Sequence, residues 1–440
     1  SVLIVWKGRF FGFGLMDVPL DVYGAVTSAS FGAFCFGYHM AVMNGPLDVI
    51  SEQMQFNSKS LLKGFVVSSL LLGALLGSLS AGKYADLYGR KIALLYNSIL
   101  LIVGAAGASL AVFPWMLILS RFICGFGVGM CSVLVPVFIS EVSPDHYKGS
   151  FGTLNQLFIC IGIFAALIMS LPITTSAAYW WRLMFAFGII PAAAHAAGIL
   201  RFSTAFKTLE PPSEEMQKSM CSSDLESRAS GATLSISEAL QSPTHSALVL
   251  SGCSLFALQQ FSGVNAVVFY SSNIFRSAGV ESEIWASVAV AFVNIIGTAI
   301  SSCIIHRFAR KTLLIGSFSG MGLSLLLLVH ASSSNSNAGQ LSPTLSVLGT
   351  VTYIISFSFG CGPIPSLLLP EILPLSVRAS GTSLSLGTHW ASNFVIGLLF
   401  LRVTEAIGIS LTYFGFSVVC FTACLFIQNN SSFKSNRVVT

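Results

Sequence analysis

Residues 259–270 read QQFSGVNAVVFY and set three carboxamides, Gln259, Gln260 and Asn265, inside an apolar run. Each amide offers two N–H donors and an oxygen with two lone pairs. Similar groups recur elsewhere in apolar surroundings: Asn155 with Gln156, then Asn294, then His389, Trp390 and Asn393. Phe269, Tyr270 and Trp390 lie among them. Hydroxyls both donate and accept, so amides suit a ligand studded with them, and aromatic rings suit its CH faces. An ion is a poorer match, because no carboxylate accompanies the amides. The chemistry indicated is recognition of a neutral polyhydroxy solute. The competing reading is hydrogen bonding between helices, with each bond worth less than about 2 kcal/mol.

The elements that carry these groups follow from composition. Hydrophobic residues make up 54% of the 440-residue chain and charged residues 9%, against about a quarter charged in soluble domains. Such a chain cannot cover a water-facing surface, so its main partner is a lipid bilayer. A spanning helix needs about 20 mostly apolar residues. Twelve runs qualify, near 22–43, 63–84, 92–112, 115–138, 151–171, 180–200, 246–271, 285–305, 312–331, 344–369, 380–402 and 408–428. A polar side chain at bilayer depth is costly unless bonded. The amides are therefore expected to face the interior of a helical bundle.

Lys and Arg collect on the cytoplasm-like side of membrane proteins. With twelve spans, both termini and the even-numbered loops share one face, and sixteen of the 22 Lys and Arg fall there. That face is called inner below. The net charge of +5 indicates no nucleic-acid partner. The ten cysteines have no CxxC spacing and read as buried small side chains, with no metal or cofactor site. No nucleophile–base set or phosphate loop is visible, so an enzyme is not expected. The N-terminal SVLIVWKGRFFGFG lacks the pattern of a secretory signal.

The chain repeats at the scale of halves. GKYADLYGRK (82–91) follows the second span and HRFARK (306–311) the eighth. Glu141 precedes Lys148 by seven residues after span 4, and Glu371 precedes Arg378 by the same interval after span 10. The expected organisation is a tail (1–21), a six-helix bundle (22–200), a polar inner-face loop (201–245), a second six-helix bundle (246–428) and a tail (429–440). Two clusters of inner-face charges are expected at helix ends. One comprises Asp86, Arg90, Lys91, Glu141 and Lys148, and the other Arg310, Lys311, Glu371 and Arg378. They would act as gating ion pairs that break when the halves rock. Topology signalling by solvated loop charges is the plainer alternative.

These motifs also carry a resemblance. GKYADLYGRK is similar to the loop signature of the major facilitator superfamily. PVFISEVSPDHYKGSFGTLNQL, QQFSGVNAVVFY and GPIPSLLLPEILPLSVRASG resemble its sugar porter family, and FGYHMAVMNG and SLGTHWASNFVIGLLF look like plant plastidic glucose transporters. The resemblance spans most of residues 22–428. It implies an all-α integral membrane protein with twelve transmembrane helices in two six-helix bundles. It further implies a monosaccharide transporter, D-glucose by preference, working as a monomer by facilitated diffusion in the plastid inner envelope; the plasma membrane is the alternative location. The family's sugar contacts fall on Gln156, Gln259, Gln260, Asn265, Asn294, Trp390 and Asn393. Proton-coupled relatives carry an Asp in span 1 near an Arg of span 4; here those positions hold His39 and Arg121. Uniport is therefore expected, with a proton-coupled symporter and a non-transporting sugar sensor as rivals. Ser366 stands where many hexose facilitators have Trp. His306 and Ala309 replace the usual acid and Gly, and the PESPR-type and PETKG-type segments are not recognisable, which points to a looser gate, a divergent paralogue or an incomplete gene model.

Overall fold

A computed structural model describes residues 20–144, 148–171, 179–202, 240–305, 308–333, 343–430 and 433. Expectations for the tails, the central loop between 203 and 239 and His306 lie outside these residues, as do those for the side chains of Asp86 and Lys148. The described chain is helical: α1 (Leu20–Ala41), α2 (Ser60–Ala85), α3 (Leu87–Ser109), α4 (Pro114–Val142), α5 (Lys148–Ser170) and α6 (Trp180–Arg201) form one bundle. The second holds α7 in two pieces (Pro243–Phe261 and Val264–Ser277), α8 (Glu283–Ile304), α9 (Arg310–Ser333), α10 in two pieces (Pro343–Phe359 and Ile364–Ile372), α11 (Leu375–Ile407) and α12 (Ile409–Asn429). Eleven of these twelve are long and apolar enough to cross a membrane. The first, α1, matches them in length at 22 residues but carries Ser28, Ser30 and His39, all buried within the protein.

Large apolar side chains cover the outside. Leu183, Ile190, Leu323 and Leu425 are more than half exposed, as lipid contact requires. Trp115, Tyr179 and Trp285 are 65%, 69% and 62% exposed, each at or beside the outer end of a helix. That is the aromatic belt expected where hydrocarbon meets headgroups.

Small residues decide how closely the helices approach. Gly73 and Gly77 of α2 meet the Phe122 and Phe126 backbone of α4, Gly125 and Gly129 of α4 meet the Leu70 and Ala74 backbone of α2, and a Cβ built on Gly125 would lie 1.9 Å from the Leu70 carbonyl oxygen. With no hydrophobic effect between helices in lipid, such backbone contact is what holds them.

The bundles meet where α2 packs on α11, α5 on α8, and α1 on the second piece of α7. Contact is tightest on the outer side. A Cβ on Gly64 would sit 2.2 Å from the Leu398 oxygen, whereas at Gly387, nearer the inner face, a Cβ would meet Leu79 at an ordinary 3.4 Å. Leu167 of α5 buries against Val288 and Ala291 of α8 at the same outer level.

Candidate functional site

Two helix breaks organise the site. Gly263 has φ +92°, a left-handed conformation, and its missing side chain also leaves room for the Phe416 ring, which a Cβ would approach to 2.4 Å. The glycine ends the first piece of α7 just after Gln259 and Gln260, and Asn265 opens the second. The sequence GCGP bends α10 between Phe359 and Ile364. Each break frees backbone carbonyls that must find partners away from water. Tyr353 Oη donates to the Ser262 oxygen (3.0 Å), and Gln259 Nε2 donates to the Cys361 oxygen (2.5 Å).

The amides connect across these breaks. Gln260 Nε2 donates to Gln259 Oε1 (3.2 Å) and to His389 Nδ1 of α11 (2.8 Å), and Asn265 Nδ2 donates to Gln260 Oε1. Since the amide nitrogen is the donor, the His389 ring carries its proton on Nε2. Phe256 and Trp390 meet that ring edge-on at 5.4 and 5.0 Å, and Phe36 of the first bundle lies 5.5 Å from Trp390.

Three neighbouring polar atoms stand apart from this network. Trp390 is 1% exposed and Asn393 0%. Trp390 Nε1 and both amide atoms of Asn393 have no hydrogen-bond partner. Spaced by three, the two residues share one face of α11.

The remaining sugar-contact candidates are half-buried and bonded elsewhere. Ser358 Oγ donates to Asn294 Oδ1 (2.8 Å), tying α8 to α10. Gln156 Nε2 reaches Cys160 Sγ of its own helix at 3.8 Å, and Cys160 faces Thr298 of α8 at 3.5 Å. Thus Gln259, Gln260 and Asn265 form one network, Trp390 joins it through His389, and Gln156 and Asn294 are not bonded to it. Ser366 is exposed and donates to Pro363 O of its own turn (3.0 Å). His389 was among the polar groups read from the sequence but not among the sugar contacts, and Phe36 was in neither set. A histidine in an apolar run beside Trp390 was the available signal for the first.

At the inner face, Arg90 meets Glu141 and Arg310 meets Glu371, each at 3.4 Å. Both pairs join helices of one bundle and occupy matching positions in the two halves. Lys311 Nζ donates to the Gln428 oxygen (2.8 Å) and Arg378 Nε to the Leu373 oxygen (3.3 Å), while Lys91 is half-buried beside Arg90 in sequence.

A second polar cluster, at the outer face, links the halves. Asp48, after α1, pairs with Lys63 (3.0 Å) and with Arg276 at the end of α7 (2.6 Å), and Arg276 also pairs with Glu283 (3.0 Å). Asn44 Nδ2 donates to the Val268 oxygen and to Ser271 Oγ, both at 2.7 Å, and Asn44 Oδ1 accepts from the Ser272 N–H (3.1 Å). Sequence reading missed this cluster, because its partners lie 228 residues apart in the chain.

His39 and Arg121 are both buried near the outer ends of α1 and α4. Arg121 Nε donates to the Val66 oxygen (2.9 Å) and one terminal nitrogen to the Val67 oxygen (3.2 Å). Among the described residues no group of three or more His, Cys, Asp or Glu is placed to hold a metal ion, and the described cysteines are free thiols.

Comparison with known proteins places this geometry. The family model "Sugar (and other) transporter" matches residues 25–429. The chain is 42% identical over 419 residues to plastidic glucose transporter 4 of Arabidopsis thaliana, covering 91% of this chain and 76% of that protein. It is 30% identical over 424 residues to a D-xylose transporter of Levilactobacillus brevis, covering 92% of each. Among solved structures it is similar to a D-xylose-proton symporter, with a TM-score of 0.76, 23% identity, and coverage of 93% of this chain and 97% of that one. That last likeness carries the fold.

Proposed function

The chain belongs to the sugar transporter family, and from that premise we propose that it moves a monosaccharide down its gradient across a plastid envelope membrane. D-Glucose is the preferred substrate and one chain is the working unit. The observation that carries the binding site is the group of buried, unpartnered atoms on Trp390 and Asn393, next to the α7 amides. A buried polar atom without a partner costs about 1–3 kcal/mol. A site that holds hydroxyls only when sugar is present must keep such atoms unpaired while empty. Gln260 and Asn265 supply further donors and acceptors, and the half-buried Gln156 and Asn294 line the approach from α5 and α8. Trp390 offers its ring to the sugar's CH face.

Transport then proceeds by alternating access. The outer contacts, Asp48 with Arg276 and Asn44 with α7, hold the halves together on that side. The inner pairs tie helix ends within each bundle, so that each rocks as a unit. Releasing the outer contacts would open the site outward. Asp48→Asn is expected to shift the population toward that state. An ion pair this exposed is worth up to about 1 kcal/mol, or about fivefold in population. Spin labels at Lys59 and Glu281, with Cys303 replaced by serine, would report a longer outer-face distance; an unchanged distance distribution would remove the latch role.

The energy source follows from where the carboxylates are. The acidic residues of the described spans lie at or near helix ends, and none accompanies the amides. Without a carboxylate at mid-membrane there is no proton relay of the usual kind. Labelled D-glucose should therefore equilibrate into proteoliposomes holding the purified protein, at a rate indifferent to a protonophore. Accumulation above equilibrium that a protonophore abolishes would overturn uniport, and an absence of hexose uptake would overturn transport itself.

A further inference from the structure

The direction of a hydrogen bond is set by the partner that has no choice, and beside the α7 amides that partner is a backbone carbonyl. Cys361 lies in the α10 break. Its N–H donates to Ser317 Oγ of α9 (2.8 Å), which donates in turn to the Ser356 oxygen (2.6 Å), so the break is tied to its neighbour. A carbonyl oxygen can only accept. Gln259 therefore directs its nitrogen at the Cys361 oxygen (2.5 Å), and its own oxygen is left facing Gln260.

Gln260 inherits that direction. Its Nε2 gives one proton to Gln259 Oε1 (3.2 Å) and the other to His389 Nδ1 (2.8 Å), while its oxygen accepts from Asn265 Nδ2. Turning this amide over would set its oxygen against two acceptors and its nitrogen against a donor. An amide nitrogen carries two protons, and the protein uses both. The oxygen has two lone pairs, and the protein uses one; the other lies beside Asn265, which is half-buried. Gln260 is 2% exposed and Gln259 4%, so bulk water does not replace these partners. His389 closes the chain. Phe256 and Trp390 hold its ring edge-on at 5.4 and 5.0 Å, with Nδ1 toward Gln260. With a side chain at 389 unable to accept, the second Gln260 proton would be free for a ligand.

We propose that His389 is a specificity-determining residue acting through Gln260: by taking the second amide proton it makes Gln260 a ligand that only accepts, so that the site demands a sugar hydroxyl that donates there. The inference rests on the reading of this network as the sugar site. His389 is in this role a positioning residue, because it fixes what its neighbour offers. The demand divides ligands by chemistry. A free hydroxyl meets it, whereas an ether, a methylated hydroxyl or a fluorinated carbon at the same position does not. Fluorine is the sharpest probe, since it can stand in for a hydroxyl as an acceptor but has no proton to give.

Mono-deoxy and mono-deoxyfluoro D-glucoses, used position by position as competitors of labelled D-glucose uptake in proteoliposomes, test this. At the hydroxyl that meets Gln260, both analogues should bind equally poorly, about tenfold or more below glucose. In His389→Phe the released proton can turn to the ligand, and the deoxyfluoro analogue at that position should recover several-fold over its deoxy counterpart. His389→Asn, which sets an acceptor oxygen close to where Nδ1 stands, should keep the unmodified protein's pattern. A side chain needed only to fill space would make phenylalanine the better substitute and leave the pattern unmoved in both variants. Should His389→Phe fail to fold, the analogue series on the unmodified protein still decides. Tolerance of fluorine at every position there, or an unchanged pattern in His389→Phe, would overturn the inference and leave transport standing. An unmodified protein that takes up no glucose would overturn the transport reading and this inference with it.

Discussion

Gln260→Ala is expected to weaken glucose binding by about 10- to 100-fold, read as the half-saturation concentration for exchange in proteoliposomes. The amide of Gln260 is the junction of the network. It donates to Gln259 and His389, and its oxygen accepts from Asn265. Truncation strips all three neighbours of a partner, and each unpaired buried group costs about 1–3 kcal/mol. Water entering the space offsets part of that cost, so the loss falls well short of the sum. A factor of ten corresponds to about 1.4 kcal/mol, so two orders of magnitude need only one or two of these bonds in the sugar complex. Thermal stability should fall as well, because the network joins α7, α10 and α11. The discriminating comparison is with Gln259→Ala. Gln259 Nε2 is directed at the Cys361 carbonyl in the α10 break, so its loss should reduce stability more than affinity. If Gln260→Ala unfolds more easily yet keeps the unmodified protein's half-saturation concentration, the amides are struts between helices, and the sugar binds elsewhere.

Much of this arrangement was legible in the sequence, for a physical reason. Twenty apolar residues have few options in lipid, so the spans could be read from composition alone, and α1 to α12 lie where the twelve runs predicted. The charged pairs after α2 and α8 were legible because the halves repeat. Breaks inside helices were not. QQFSGVNA and FGCGPIP read as continuous apolar runs with a few glycines, and nothing local said that Gly263 would turn left-handed. The need for glycine there also comes from Phe416, more than 150 residues downstream, whose ring occupies the space a side chain would need. The same limit hid the outer latch. Asp48, Arg276 and Glu283 belong to no motif in the sequence, and only the fold brings them together. The role of His389 lay between these cases. Its type and its neighbour Trp390 were visible, but its bond to Gln260 requires two helices to be placed side by side.

The pattern of satisfied and unsatisfied polar groups sorts the candidate residues by function. Gln259 completes a break, Asn294 braces α8 against α10, and Asn44 closes the outer seam; each has its partners in hand. Asn393 does not, and its neighbour Trp390 shares that condition. An unpaired buried amide costs about 1–3 kcal/mol, a cost that a sugar-bound state would recover.

Asn393→Leu therefore carries the sharpest expectation, because stability and function should move in opposite directions. Leucine has asparagine's branched heavy-atom skeleton and no polar atoms to satisfy. Replacing a buried, unpartnered amide with it removes a desolvation cost of about 1–3 kcal/mol from the sugar-free protein. The variant should unfold at a higher temperature than the unmodified protein. Its glucose uptake should fall by tenfold or more, because the donor and acceptor proposed to meet the sugar hydroxyls are gone. Glucose should also lose its capacity to raise Tm, which follows ligand affinity by mass action. A merely structural asparagine would behave otherwise: its loss would lower Tm and leave the glucose-dependent shift in place. A gain in stability at the expense of activity would fit the proposed sugar site, in which Asn393 and Trp390, one turn apart on α11, carry unpartnered polar atoms.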